Sequence, residues 1–193
     1  MDVSVVKKYP DPCLRIKTRQ VDSFNGEIKK TLNLMADTMY LNQGIGLAAT
    51  QVGLGSSFFV VDAGDGLISF VNPVIMERSK EKSTMEEGCL SLPGVTVNVR
   101  RPEKIKVRAQ DKNGAYFVRN FEGLAAKAVQ HEYDHLCGKL IVDYLDPIRY
   151  FLARRRLKSK KVKQTKRTCE VICHVGKEDT IGTKRGNEEP ADD

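Results

Sequence analysis

The feature that most constrains this chain is an H-E-x-x-H pattern in its second half, formed by His131, Glu132 and His135. On an α-helix, residues four apart lie on one face, so the two imidazoles point in the same direction. Leu124 and Ala128 fall on that face, which indicates that it turns towards a core. Two such imidazoles predict a metal site, and the intervening glutamate can reach a water on the metal. The alternative is a surface helix with two titrating histidines, which fits an inward face poorly because buried imidazoles need partners.

Two histidines do not complete a catalytic metal site, which commonly has three protein ligands and an open position for water. Downstream candidates are His174, in a polar tail, and two aspartates near the predicted helix end, Asp143 and Asp146. Cys89 is a better candidate, since it follows Gly88 in a short apolar run and can offer a thiolate. Taken alone, however, a buried free cysteine is more often a small hydrophobic residue than a ligand.

Three stretches together resemble the signature motifs of the peptide deformylases: GIGLAATQ at residues 44–51, EGCLS at 87–91 and QHEYDH at 130–135. They occur in the order of that family and at about its spacing. The resemblance extends over residues 5–157, and the triple set is far more specific than H-E-x-x-H alone. It implies an enzyme that removes the formyl group from the N-terminal formyl-methionine of newly synthesised polypeptides.

The resemblance also implies roles for individual residues. The implied metal ligands are Cys89, His131 and His135. Glu132 would take a proton from the attacking metal-bound water and pass it to the leaving amine. The implied donors to the tetrahedral oxyanion are the side-chain amide of Gln51 and the backbone N–H of Leu90.

Substrate contacts are predicted on both sides of this site. Extended backbone at Gly46 and Gly88 can pair with a peptide as an added strand, which tolerates many sequences. The apolar residues that we expect to line a pocket for the methionine side chain are Ile45, Met85, Leu124 and Ala128. Without the family resemblance, each of these four is better interpreted as core.

Glu87 and Arg101 resemble a structural ion pair that braces the cysteine segment. The site would hold one divalent metal ion per chain. A thiolate with two imidazoles suits iron, zinc, nickel or cobalt. The resemblance implies Fe²⁺ as the native ion, with Zn²⁺, Ni²⁺ or Co²⁺ as alternatives.

The hydrophobic pattern predicts an α+β fold with mostly antiparallel sheets packed around a central metal-binding helix. A first helix is predicted over residues 27–41, where apolar residues recur at helical spacing. Strands are predicted over residues 57–62, 67–71, 95–99, 105–109 and 116–121, with the second stopped by Asn72 and Pro73. A C-terminal helix over about 148–160 completes a catalytic domain of residues 1–158, and residues 159–193 form a basic, then polar tail that we expect to be disordered.

The net charge of +7 is concentrated in one segment, because residues 149–167 contain ten Lys and Arg and no acidic residue. The rest of the chain has 22 basic and 25 acidic residues. We therefore predict contact with the ribosome or its RNA through Arg149 to Arg167, since phosphate neutralisation needs such a cluster. A solvated, solubilising tail is the equal alternative.

Composition narrows the cellular setting. No stretch approaches the about 20 apolar residues of a membrane span. Five cysteines without regular spacing favour a reducing cytoplasm over a disulfide framework. Cys169, Cys173 and His174 are interpreted as incidental tail residues rather than a second metal site. We predict a monomer, and two rival functions remain: a zinc peptidase, and a nucleic-acid binder with a structural metal.

Overall fold

Two antiparallel sheets and three α-helices make up residues 5–157, the part of the chain that this computed structural model describes. The strands are β1 (Gly46–Ala48), β2 (Phe58–Val61), β3 (Ile68–Arg78), β4 (Lys82–Gly88), β5 (Thr96–Pro102), β6 (Lys104–Gln110) and β7 (Tyr116–Glu122). One sheet has the order β1-β2-β3-β6-β7, and the other pairs β4 with β5. The helices are α1 (Gly26–Leu41), α2 (Gly123–Leu136) and α3 (residues 147–157). The predicted α+β class is confirmed.

Helix α1 forms where the apolar spacing predicts it. The Asn25 side chain caps its first turn by accepting hydrogen bonds from the backbone N–H groups of Glu27 and Ile28. The side chains on its inner face are buried against β1 and β2: Ile28, Leu32, Met35 and Met39. The helix therefore covers one face of the five-stranded sheet.

Helix α2 is the central element, as predicted. It begins where Gly123 adopts a positive φ of 57°, a conformation that favours glycine. Ala126 and Val129 pack against Phe70 and other residues of the five-stranded sheet. A second core, which contains Val97 and Leu140, forms around the β4–β5 hairpin. Because α2 contacts both sheets, its polar motif is held between them.

The predicted end of one strand was wrong, and strands β1 and β4 were not predicted. Strand β3 does not stop at Asn72 and Pro73 but continues to Arg78, with an irregular register between Val71 and Val74. A proline at such a bulge removes no ladder hydrogen bond, so the strand survives it. Asn72 takes a positive φ of 50° there, and its side chain bonds both backbone groups of Val21. Strand β4 was missed because its alternation is largely polar and exposed.

Helix α3 is present but packs differently from its apolar pattern. Asp146 caps it by accepting from the N–H groups of Ile148 and Arg149. Ile148, Phe151 and Leu152, which share one side of the predicted helix, are exposed, whereas Ala153 and Leu157 are buried. The predicted tail, including Cys169, Cys173, His174 and the basic segment beyond residue 157, lies outside the described residues. Within residues 5–157, no helix is both long and apolar enough to cross a membrane.

Candidate active site

Three predicted ligands meet where the β4–β5 hairpin approaches α2. One donor atom each of Cys89, His131 and His135 lies within 4.8 Å of the others. The Sγ atom of Cys89 is 3.3 Å from Nε2 of His135. Cys89 immediately follows β4, and its carbonyl accepts from the N–H of Leu92 at 2.9 Å, which closes a turn around the thiol. A thiol and two imidazoles converging inside the protein form a donor set that suits a divalent transition metal.

The predicted pair of Glu87 and Arg101 is present and buried. Arg101 donates from Nε and Nη2 to the two carboxylate oxygens at 2.6 and 2.9 Å. Glu87 Oε2 also lies 2.9 Å from Nδ1 of His131. Burial acts to raise the pKa of Glu87, but hydrogen bonds from His131 and Arg101 hold that pKa below its ordinary value. An ionised Glu87 accepts a hydrogen bond from Nδ1–H of His131, which leaves the Nε2 lone pair free for a metal.

Glu132 is buried beside the two histidines. Its Oε2 atom has no hydrogen-bond partner among residues 5–157, as is also true of His135 Nδ1. Burial raises the pKa of Glu132 to about 7. A buried carboxyl with one unused oxygen, next to a convergent donor set, fits a metal site that also holds water.

Gln51 lies in the short 3-10 helix that follows β1 (Ala49–Val52). Its Oε1 accepts from the N–H of Ala48 at 2.8 Å, which fixes the orientation of the amide. Its Nε2 then faces the site, at 3.5 Å from Cys89 Sγ and 3.2 Å from Ser91 Oγ. Leu90 is adjacent, and its carbonyl accepts from Lys8 Nζ at 2.7 Å. Both predicted oxyanion donors are thus beside the cysteine.

A cavity of about 450 Å³ opens next to these groups. All six residues predicted to contact the substrate line it: Ile45, Gly46, Met85, Gly88, Leu124 and Ala128. Ile45 and Leu124 are 43% and 44% exposed, so they form part of an open wall rather than core. Ala128, by contrast, is buried.

Sequence reasoning missed four polar residues near the site. Lys127 lines the cavity, and Ser91 accepts from the Gln51 amide. Asp134 and Tyr144 contact Arg101. Lys127 and Asp134 could have been found from their positions, one turn before His131 and inside the H-E-x-x-H motif. Ser91 ends the EGCLS motif, but nothing local indicates that its hydroxyl meets Gln51, and no local pattern marks Tyr144.

Comparison with known proteins decides the family. The model of the family described as polypeptide deformylase matches residues 3–150. The chain belongs to the polypeptide deformylase family. Peptide deformylase 1 of Clostridium perfringens is 53% identical over 136 residues, which cover 69% of this chain and 92% of that protein. The predicted family is therefore confirmed.

Solved peptide deformylases share the fold. The Thermotoga maritima structure has a TM-score of 0.74 and 42% identity, covering 76% of this chain and all of that one. The Ehrlichia chaffeensis peptide deformylase in complex with actinonin has a TM-score of 0.81 and 34% identity, covering 83% of this chain and 98% of that one. Peptide deformylases are metal-dependent hydrolases that remove the N-terminal formyl group of nascent peptides. The prediction of an enzyme of this class is confirmed.

Proposed function

We propose that this chain hydrolyses the formyl amide of N-terminal formyl-methionine on newly synthesised polypeptides. The observation that carries the proposal is the convergence of Cys89, His131 and His135 beside the buried carboxyl of Glu132, at the wall of a peptide-sized cleft. Membership of the deformylase family supports the choice of a formyl amide over other amides.

Cys89, His131 and His135 would hold one divalent metal ion, with Fe²⁺ as the proposed native ion and Zn²⁺, Ni²⁺ or Co²⁺ as substitutes. Such an ion lowers the pKa of a coordinated water and so supplies hydroxide near neutral pH. Glu132 accepts the proton of the attacking water and returns it to the leaving amine. Its pKa of about 7 supports this role, because a general base works best near the operating pH.

Gln51 and Leu90 are proposed to stabilise the oxyanion of the tetrahedral intermediate. The Gln51 amide is already oriented by its bond from Ala48, so its Nε2 needs no reorganisation to donate. The backbone N–H of Leu90 would add a second donor from the turn that carries Cys89. Pre-oriented donors in a water-poor site stabilise developing charge better than mobile ones do.

The cleft also supports binding of an extended peptide. Among the described strands, β1 pairs only with β2, and β4 pairs only with β5, so each has an edge open to another strand. Gly46 of β1 and Gly88 of β4 both line the cleft, where a formylated peptide would add main-chain hydrogen bonds. Met85, Leu124 and Ala128 are proposed to hold the methionine side chain.

The decisive experiment compares a formyl-Met peptide with its unformylated twin, with metal content measured on the same sample. We expect formate release from the first only, in proportion to bound metal. Actinonin, which the Ehrlichia chaffeensis relative binds, should inhibit the reaction. Cleavage inside the unformylated peptide would instead favour a zinc peptidase. Full metal occupancy with no hydrolysis of either peptide would favour a structural metal in a nucleic-acid binder.

Contact with ribosomal RNA is proposed for Arg149 to Arg167, with the enzyme acting as a monomer in the cytoplasm. Arg149, Arg154 and Arg155 are exposed on α3 and can meet phosphates. A truncation that tests this should end at Leu157, because Leu157 and Ala153 are buried in the core. The truncated enzyme keeps the arginines of α3 but loses the remaining Lys and Arg of the segment, so it should keep its peptide turnover and show weaker, less salt-sensitive ribosome co-sedimentation. Equal co-sedimentation by both forms would rule out a contact through the deleted residues.

A further inference from the structure

A line of hydrogen bonds, buried at Glu87 and partly buried beyond Arg101, leads away from His131 on the side opposite the proposed metal. The Glu87 carboxylate contacts Nδ1 of His131 and also forms the bidentate ion pair with Arg101. The side chains of Arg101 and Glu87 are only 4% and 7% exposed. Arg101 then donates from Nη1 to Asp134 Oδ2 at 2.8 Å. The guanidinium is thus shared between two carboxylates from different elements.

Tyr144 closes this line. Its hydroxyl donates to Asp134 Oδ2 at 2.7 Å and accepts from Arg101 Nη1 at 3.2 Å. Its ring makes two cation–π contacts. The Cζ atom of Arg101 lies 5.1 Å from the ring centroid, and Nζ of Lys139 lies 3.7 Å from it. Tyr144 ends the 3-10 helix that follows α2 (Ile141–Tyr144), so it comes from a different element than Glu87 and Arg101.

The partners of the Arg101 guanidinium determine its orientation. A buried guanidinium must satisfy all its donors, and a donor left without a partner costs free energy or draws in water. Asp134 and Tyr144 occupy Nη1, which leaves the Nε and Nη2 edge of Arg101 for Glu87. Loss of either partner would let Arg101 turn towards the gap, and Glu87 would follow it. The ring of His131 would then lose its fixed orientation, on which metal binding depends.

We propose that Asp134 and Tyr144 are positioning residues for the metal site: they lock Arg101, so that Glu87 holds the His131 ring ready for metal. The inference rests on the proposed function, because it assumes that His131 is a ligand. Neither residue lines the substrate cleft, so neither is expected to contact substrate. Their hydroxyl and carboxylate act on His131 through Arg101 and Glu87.

The test measures how fast zinc-loaded protein releases its metal to a chromogenic chelator. Tyr144→Phe keeps the ring that stacks under Arg101 and removes only the hydroxyl. We expect release several-fold faster than from the wild type, and less than the about 10- to 100-fold effect of removing Glu87, the direct hydrogen-bond partner of His131. Tyr40→Phe is the matched control, since it removes a comparable 2.6 Å tyrosine–aspartate bond to Asp62 away from the site. Release from this control should match the wild type.

A second measurement tests whether Tyr144 acts on His131 through Glu87. If Tyr144 acts through Glu87, Tyr144→Phe should add little to the release rate in a Glu87→Gln background. The Co²⁺-substituted protein should also show altered thiolate and ligand-field bands in Tyr144→Phe but not in Tyr40→Phe. If Tyr144→Phe does not fold, Asp134→Asn is measured in its place with the same expectations.

Three results would overturn the inference. These are unchanged release from Tyr144→Phe, equally fast release from Tyr40→Phe, and fully additive effects of Tyr144→Phe and Glu87→Gln. None of these readouts needs a formylated substrate. A wild type that retains no zinc would overturn the proposed metal site and this inference together, whereas wild-type retention with unchanged variants would overturn only this inference.

Discussion

Gly46 lies directly against the side chain of Glu132. A Cβ added to Gly46 would come within 2.9 Å of both Cγ and Cδ of Glu132, and closer still to Oε1. Real Cβ atoms essentially never approach other atoms so closely, so any side chain at residue 46 must displace the carboxylate. Strand β1 therefore fixes the position of the proposed general base, although the two residues are far apart in sequence.

The first prediction follows from this contact. Gly46→Ala should retain metal but lower kcat for a formyl-Met peptide by about 10²-fold, because a base displaced by an ångström loses its alignment. Gly26→Ala is the control, since a Cβ at Gly26 meets nothing within 4 Å. The measurement is formate release per bound metal. A fully active Gly46→Ala enzyme would show that Glu132 tolerates displacement or is not the base.

The second prediction concerns Glu132 itself. Glu132→Ala should keep its metal and lose at least about 10²-fold in turnover, the usual scale for removing a general acid–base group. Near-normal turnover at full metal occupancy would remove Glu132 from the mechanism. Metal analysis and kinetics on one preparation separate a lost base from a lost ion.

The third prediction concerns Cys89, the proposed thiolate ligand. Cys89→Ser should weaken metal retention, because an alcohol is a harder and poorer ligand for these ions than a thiolate. Cys137→Ser is the matched control, since Cys137 is an exposed free cysteine. Equilibrium dialysis against a competing chelator gives both affinities. Equal retention by Cys89→Ser and wild type would mean that the third ligand has been misassigned.

The fourth prediction concerns the width of the proposed methionine pocket. Lys127 lines the cleft, its side chain is 7% exposed, and its Nζ lies 3.3 Å from Glu103 Oε2. The stem of Lys127 therefore serves as an apolar wall while the ammonium is held by Glu103. Lys127→Ala should widen the pocket and raise kcat/KM for formyl-Phe relative to formyl-Met peptides by about 10-fold. Lys127→Met keeps the wall and should keep the preference. Identical preferences in both variants would contradict a wall at Lys127.

The fifth prediction concerns pH and stability. Burial acts to raise the pKa of Asp143, but the hydrogen bond from Arg15 holds that pKa below its ordinary value of 3.8. A lowered folded-state pKa stabilises the fold above pH 3.8, and this contribution disappears as pH falls through the folded value. Asp143→Asn should thus lower the free energy of unfolding by about 1 kcal/mol at pH 7 and by less at pH 3. Urea unfolding of metal-free protein at both pH values measures the difference. A loss that is equal at both would exclude the ionised pair as its cause.

The sequence predicted those parts of the molecule whose cause is local. Helix α1 follows from its apolar spacing and the Asn25 cap, and helix α2 follows from the spacing of His131 and His135. Strand β3 could not be predicted past Pro73, because its continuation depends on Asn72 bonding Val21 from another part of the chain. Long-range contacts of this kind leave no pattern in the local sequence.

The same division applies to the site. Gln51 and the pocket residues were predicted only because three motifs occur together, since a glutamine alone is typical of the surface and the apolar residues alone are typical of core. Tyr144 escaped prediction because nothing near it in sequence indicates that its hydroxyl meets Arg101. The exposed apolar side of α3 was also unexpected, because helical periodicity does not say which side meets the core.

The proposed ligands come from two elements that are far apart along the chain. Cys89 lies at the tip of the β4–β5 hairpin and His131 on α2, with about forty residues of chain between them. A bound ion would join these elements as a disulfide does, closing a long loop and favouring the folded chain over the unfolded one. At free metal 100-fold above Kd, such binding raises the free energy of unfolding by about 2.7 kcal/mol. The melting temperature of this protein would therefore depend on how much metal it has bound as well as on its sequence. Two preparations of identical sequence that differ in metal content would then differ in Tm.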